Sequence, residues 1–255
     1  MRKWVALGLA LVLAAAALAG CGRKGESSGD QDTFTFAMSG LYKPFNFQDE
    51  NGDLVGFDVE IGSEIAARMG MEAKPVANPW DTLLMGLNAG KFDCIIGSMA
   101  ITEERREQAD FSRPYYRSGA QVFVAADNTE ITTEEDIRDK KIGVVKNSTF
   151  RDAASEFTDQ VTEYDSDLTA LQDIGTGRLD AVITDQMVGL RVMKEGAMNI
   201  KDVGEPLWLD EMAIPVQKGN TQLLDKINQA LEEIIEDGTY DRISEKWFGR
   251  SILGE

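Results

Sequence analysis

The sequence predicts an α/β protein with mostly parallel strands, on three observations. Helix-then-strand units follow one another along the chain, as in sheets covered by helices. One such unit is written twice, as GKFDCIIGS at 90–98 and as GRLDAVITD at 177–185. The 255 residues, 43% of them hydrophobic, can bury a sizeable core as one large domain or two small ones. Within the repeat Gly90 matches Gly177, Lys91 matches Arg178, Phe92 matches Leu179 and Asp93 matches Asp180, while Ile95 and Ile96 match Val182 and Ile183. The continuations differ, SMAITEERR after one copy and DQMVGLRVM after the other. The shared part therefore reads as scaffold and the two endings as the place where function resides.

In chain order, the first element is an export signal: Arg2 and Lys3 precede an apolar run over 4–18 that ends in LAGC at 18–21. The run is shorter than the roughly 20 apolar residues of a spanning helix. LAGC resembles the lipobox of bacterial lipoproteins, which implies removal of residues 1–20 and a lipid on Cys21. The polar stretch GRKGESSGDQD reads as a tether, giving a linker over 21–33. TFTFAM at 33–38 is a strand, and NFQDENGDLVGF at 46–57 is a hairpin turning at Asn51 and Gly52. Asp58 is placed to cap a helix striped by Ile61, Ile65 and Met69 and stopped by Gly70. Pro79 opens a helix whose Leu83, Leu84 and Leu87 face inward, ended by Gly90 and followed by the strand FDCIIG. Cys94 in that strand has no partner in the mature domain and reads as a buried, inert thiol. KIGVV at 141–145 and LDAVIT are strands of the second half, and Leu168, Leu171 and Ile174 mark a helix stripe between them. The C-terminal stretch has helical spacing at Leu224, Ile227, Leu231, Ile234 and Ile235, with a break at Gly238.

Charge and composition exclude several functions. With 44 acidic against 26 basic residues the formal net charge is -18, which repels nucleic-acid phosphates and anionic lipid surfaces. The chain contains no His, so the commonest general base and metal ligand is missing. No catalytic residue, metal or cofactor is expected.

In open α/β sheets ligands collect beyond the carboxyl ends of the strands, where the two copies of the repeat end. One ending supplies Ser98, Thr102 and Arg105, the other Asp185. A guanidinium fork suits a carboxylate and an Asp suits an ammonium, so the pair suits the two ends of a zwitterion, an amino acid being the obvious one.

The segments PFNFQDENGDLVGFDVEI, GKFDCIIGSMAITEERREQADFSRPYY and GTYDRISEKWFG resemble, in order and spacing, the signature blocks of bacterial extracellular solute-binding proteins that deliver polar amino acids to ABC importers. The resemblance covers nearly all of 33–249. It implies a two-lobed fold of the type II periplasmic-binding-protein kind, with the ligand in the cleft and two chain crossings near 116–119 and 208–212. Residues 34–116 and 212–255 would form lobe 1, and 117–211 lobe 2. The implied protein is a monomer on the extracytoplasmic side, held to the membrane by its lipid and working with importer membrane subunits.

The resemblance also implies roles. Arg105, in T-x-x-R before ADFS, matches the clamp of the ligand α-carboxylate, and Asp185 matches the carboxylate that holds the α-ammonium, a role compatible with capping a helix. Tyr42 and Trp80 match aromatic positions that sandwich the ligand, Ser98 lends backbone groups, and Thr149 with Phe150 offers N–H groups at a helix start. Lys146 reads either as a contact to the ligand side chain or as an exposed loop lysine. Three positions depart from the family pattern. Ala100 lacks the usual hydroxyl, Ser39 stands where many relatives have an acidic residue, and Phe150 replaces a small residue. The ligand expected is a small polar amino acid, neutral or acidic rather than basic. Two other classes share the fold: an enzyme like the cyclohexadienyl dehydratases, which needs an acid in the cleft, and a sensing module acting with a separate partner.

Overall fold

Two sheets, each with its own apolar core, form the two lobes of the computed structural model, which describes residues 32–254. The expected signal segment at 1–20, Cys21 and nearly all of the tether lie outside the described residues. The first sheet has the order β5-β1-β6-β14-β8, from β1 (Thr33–Met38), β5 (Glu72–Ala77), β6 (Cys94–Ile95), β8 (Ala109–Phe111) and β14 (Pro215–Gln217). The second has the order β11-β10-β12-β9-β13-β7, from β7 (Met99–Ala100), β9 (Tyr116–Ala125), β10 (Ile142–Val145), β11 (Val161–Tyr164), β12 (Ala181–Asp185) and β13 (Ile200–Ala213). A small antiparallel ribbon joins β2 (Leu41–Tyr42), β3 (Asn46–Gln48) and β4 (Leu54–Val55), with the predicted turn at Asn51 and Gly52 closed by Gly52 N–H donating to the Asp49 carbonyl at 3.0 Å. The helices are α1 (Phe57–Arg68), α2 (Leu83–Asn88), α3 (Glu103–Gln108), α4 (Thr149–Phe157), α5 (Asp167–Ile174), α6 (Gln186–Lys194), α7 (Thr221–Glu236) and α8 (Thr239–Phe248). None of the described helices is long and apolar enough to cross a membrane.

The repeated segment plays the same part in both lobes. Gly90 and Gly177 follow α2 and α5 with left-handed φ of 67° and 73°, which glycine adopts without strain. Phe92 and Leu179 are buried behind them. Asp93 and Asp180 then each accept a backbone N–H at the start of the neighbouring parallel strand, from Thr35 at 2.7 Å and from Lys141 at 2.9 Å. The strands that follow, β6 and β12, pair in parallel with β1 and β10.

Three expectations are corrected. The sheets are mixed rather than mostly parallel, because β9 and β13 lie antiparallel to each other and β9 is also antiparallel to β12. These two strands carry the chain from one sheet to the other and back. Asp58 does not cap α1. Gly56 starts that helix at φ 129°, where a side-chain Cβ would lie 2.3 Å from the Phe45 carbonyl oxygen, so Asp58 falls inside the first turn and is buried. Leu168 is 47% exposed and outside the core stripe, because Ser166 caps α5 and turns Asp167, Ala170, Leu171 and Ile174 inward instead. Cys94 is free and fully buried, and burial pushes its thiol well above its ordinary pKa.

Candidate functional site

The carboxyl ends of strands from both sheets line one cleft. Ser39 follows β1, Trp80 follows β5, and Gly97 and Ser98 follow β6; across from them Ser148 follows β10, and Asp165, Ser166 and Asp167 follow β11. Between the walls lies about 540 Å3 of space, part of it open to solvent.

On the first wall the Thr102 hydroxyl caps α3 by accepting from the Arg105 N–H at 3.1 Å, which fixes the arginine one turn into the helix. Arg105 is 9% exposed, and its guanidinium lies 5.5 Å from the Trp80 ring centroid. Nη1 donates to the Ala100 carbonyl at 2.9 Å and Nη2 to the Asn147 carbonyl at 3.2 Å. Burial lowers the Arg105 pKa below its ordinary value, yet a guanidinium stays charged. Two of its five N–H donors are engaged, both by neutral carbonyls. Ala100 thus serves the site through its backbone. Tyr42 stacks on Phe45 at 5.1 Å, and burial raises its hydroxyl pKa well above 10.0, with Asp185 and Asp167 adding to the rise.

On the second wall Ser148 caps α4, accepting from the Arg151 N–H at 3.2 Å. Thr149 begins that helix and donates through Oγ1 to Asp210 at 2.9 Å. The Phe150 ring packs into the second-lobe core and borders the cleft. Asp167, nearly buried, accepts from the Thr184 hydroxyl, and burial pushes its pKa up to about 6. Asp185 is fully buried and is not part of the cleft lining. Its Oδ1 accepts from the N–H groups of Met187 at 2.8 Å and Val188 at 3.4 Å, capping α6, while its Oδ2 makes no hydrogen bond of normal geometry among the described residues, the buried Ser118 hydroxyl being the nearby group that favours its charge. Burial pushes Asp185 up to about 7.

The structure therefore brings Ser39, Tyr42, Trp80, Ser98, Ala100, Arg105, Thr149 and Phe150 together around the cleft. Lys146 sits outside the lining and bridges the lobes, 3.0 Å from Asp81 and 2.7 Å from Asp165. Next to it Asn147, left-handed at φ 53°, turns its carbonyl to Arg105 and to the Trp80 Nε1–H at 3.3 Å. Sequence reasoning missed Leu41, Gly97, Val145, Ser148, Asp165, Ser166, Asp167 and Met212. Ser148 and Ser166 had a readable signal, since each is a capping residue directly after a strand.

This arrangement has counterparts. The L-cystine-binding protein of Escherichia coli is 34% identical over 226 residues, covering 88% of this chain and 85% of the relative. An ancestral arginine-binding protein solved with glutamine superposes with TM-score 0.81 at 39% identity, over 87% of this chain and 100% of that one. The same kind of ancestral protein solved with arginine gives TM-score 0.80 at 39% identity, over 86% and 99%. The model of one family matches residues 34–250, a span that takes in both sheets, both strands that cross between them and every residue lining the cleft. By that match the chain belongs to the bacterial extracellular solute-binding proteins, family 3.

Proposed function

We propose that the protein captures one amino acid in this cleft and presents it to the membrane subunits of an ABC importer, anchored on the extracytoplasmic side by a lipid on Cys21. One observation carries the reading: among the described residues Arg105 is a buried cation with three N–H donors free and no carboxylate bonded to it, and it lines the same cleft as Asp167 of the other wall, with Asp185 buried in the lobe of Asp167. An α-carboxylate on Arg105 and an α-ammonium toward the carboxylates supply the charges that each wall lacks. Names of similar proteins support the class, since they bind cystine, arginine or glutamine. The ligand we propose has no net charge. An acidic side chain finds no second cation, because Lys146 is held by Asp81 and Asp165, and Ser39 offers no charge to a basic one.

Closure places the hinge in the crossing strands near 116–119 and 208–212, where β9 and β13 run side by side with Tyr116 opposite Met212 and Ala120 opposite Trp208. Lobe 1 is then 34–116 with 212–255, and lobe 2 is 117–211. The test is a thermal-shift panel of the amino acids, cystine included, on wild type and Arg105→Ala. A ligand of the folded state raises the wild-type melting temperature. Loss of the buried charge partner should cost on the order of 2 to 5 kcal/mol of binding, removing the shift while the fold survives. A shift of equal size in Arg105→Ala refutes the clamp.

A further inference from the structure

Asp58 plays no part in the cleft lining, yet it determines what two of the lining side chains offer a ligand. It is fully buried, and three groups donate to it: the Tyr115 hydroxyl to Oδ1 at 2.6 Å, Asn46 Nδ2 to Oδ2 at 2.6 Å and the Ser98 hydroxyl to Oδ2 at 2.8 Å. Burial raises the Asp58 pKa to about 6; above that pH the carboxylate is ionised and only accepts, so each of these hydrogens points toward it. The orientation of Asn46 is fixed from both ends. With Nδ2 on Asp58, its Oδ1 accepts from the Gly40 N–H at 2.9 Å, a donor that cannot reverse, and from the Ser39 hydroxyl at 3.0 Å. The single hydroxyl hydrogen of Ser39 is thereby tied to Asn46, and that of Ser98 to Asp58. Ser39 already accepts from the Leu41 N–H at 3.2 Å and keeps one lone pair. Ser98 is held further by its backbone N–H, which donates to the Tyr115 hydroxyl at 2.9 Å. Both serines line the cleft, and toward a ligand both present acceptors only.

We propose that Asp58 is a positioning residue for specificity: relayed through Asn46 to Ser39, and acting directly on Ser98, its carboxylate gives the first wall a fixed acceptor polarity, so the cleft selects amino acids whose side chain carries N–H donors and rejects those whose side chain is a carboxylate. This rests on the amino-acid reading of the site. The favoured class is a carboxamide, or a second ammonium on a two-headed amino acid of no net charge. A side-chain carboxylate placed against Ser39 meets lone pairs and leaves buried groups unpaired, a situation sites discriminate against strongly.

The experiment measures dissociation constants by calorimetric competition for two near-isosteric pairs, L-glutamine against L-glutamate and L-asparagine against L-aspartate, within a panel of all common amino acids and cystine. Wild type should prefer the amide of each pair by at least about tenfold, the equivalent of one well-placed hydrogen bond. In Asp58→Asn, residue 58 can donate, Ser98 and Asn46 are free to reverse, and the preference should fall by about tenfold; a general packing defect would weaken amide and acid alike. Ser39→Ala, at a half-buried position, should lower the preference without touching Asp58, which keeps the proposal testable should Asp58→Asn fold poorly. Equal binding of amide and acid in wild type, a tightest ligand with no side-chain N–H, or a preference unchanged in Ser39→Ala and in folded Asp58→Asn overturns it. A wild-type protein that binds no amino acid refutes the amino-acid reading itself, and the polarity proposal with it.

Discussion

Replacing Asp185 by Asn should make the empty protein more stable and the loaded one weaker. The carboxylate is fully buried, and burial raises its pKa from 3.8 to about 7 even though the Ser118 hydroxyl and helix N–H groups favour its charge. That rise of about three pH units corresponds to ~4 kcal/mol at about 1.36 kcal/mol per unit. Relaxation around a buried charge reduces it, so about 1–3 kcal/mol is the realistic gain. The sign follows from proton binding. Between pH 4 and 7 the native state holds a proton on Asp185 that the unfolded chain has lost, so stability from this group falls as pH rises through that window and is lowest above about 7. Asn cannot ionise, and its oxygen can still cap α6. At pH 8 the variant should melt several degrees higher, at ~2–4 °C per kcal/mol for a chain of this size. At pH 5 wild-type Asp185 is itself mostly protonated and the difference should shrink toward zero. Calorimetric scans of both proteins at the two pH values decide this. If the proposed amino acid turns its ammonium toward this wall, the buried charge of Asp185 attracts it from behind the lining, so Asn should weaken binding on the order of 10-fold. A variant that melts no higher than wild type at pH 8, or gains equally at pH 5, shows that Asp185 is not held under charge strain.

Two further predictions concern closure and anchoring. Lys146→Ala removes the bridge between Asp81 on the first lobe and Asp165 on the second, so the empty protein should open. Small-angle scattering should give a larger radius of gyration for the variant, with the difference reduced in high salt and abolished by saturating ligand, whereas superposable curves would dismiss the bridge as a closure element. Cys21→Ser removes the attachment point for a lipid. The mature protein should appear in the soluble fraction or accumulate as an uncleaved precursor, and a processed form that still sediments wholly with membranes contradicts the lipobox reading.

The fold was legible where local chemistry decides it. Gly90, Gly177 and Gly238 sit at left-handed turns after helices, and TFTFAM is β1 to the residue, because hydrophobic runs and helix stops act over a few neighbours. The crossing strands were legible only through family resemblance, since β13 alternates weakly and its partners lie far along the chain. The site divides along the same line. Arg105 and Ser98 lie in a motif block and Trp80 stands just before a Leu stripe, whereas Asp167 reaches the cleft only because β11 ends beside β10 in parallel register, a pairing no local pattern announces. Asp58 was misread as a cap for an equally physical reason: the rule for Asp before an apolar stripe was sound, but Gly56 and the Phe45 carbonyl moved the helix start upstream and left the carboxylate inside.

The repeat makes plain how one scaffold produces two unlike walls. Ser98 and Asp185 occupy the same place in the two copies, eight residues after Gly90 and Gly177. Both lie at the carboxyl end of the repeated strand, where the sheet stops providing hydrogen-bond partners and each residue must find its own. Ser98 turns left-handed at φ 60°, which prevents a helix from starting there and leaves its hydroxyl under the control of Asp58 and its N–H on Tyr115. Asp185 stays at φ -61° and starts α6, so one oxygen is taken by the helix and the other is left buried beside the Ser118 hydroxyl. A neutral acceptor results on one wall and a carboxylate buried behind the other. Exchange of the two residues would not exchange the walls, because Asp at 98 would set a second carboxylate against Asp58, and Ser at 185 would cap the helix but bring no charge. The asymmetry is therefore encoded in what each ending touches, Asp58 and Tyr115 in one lobe and the N-terminus of α6 in the other.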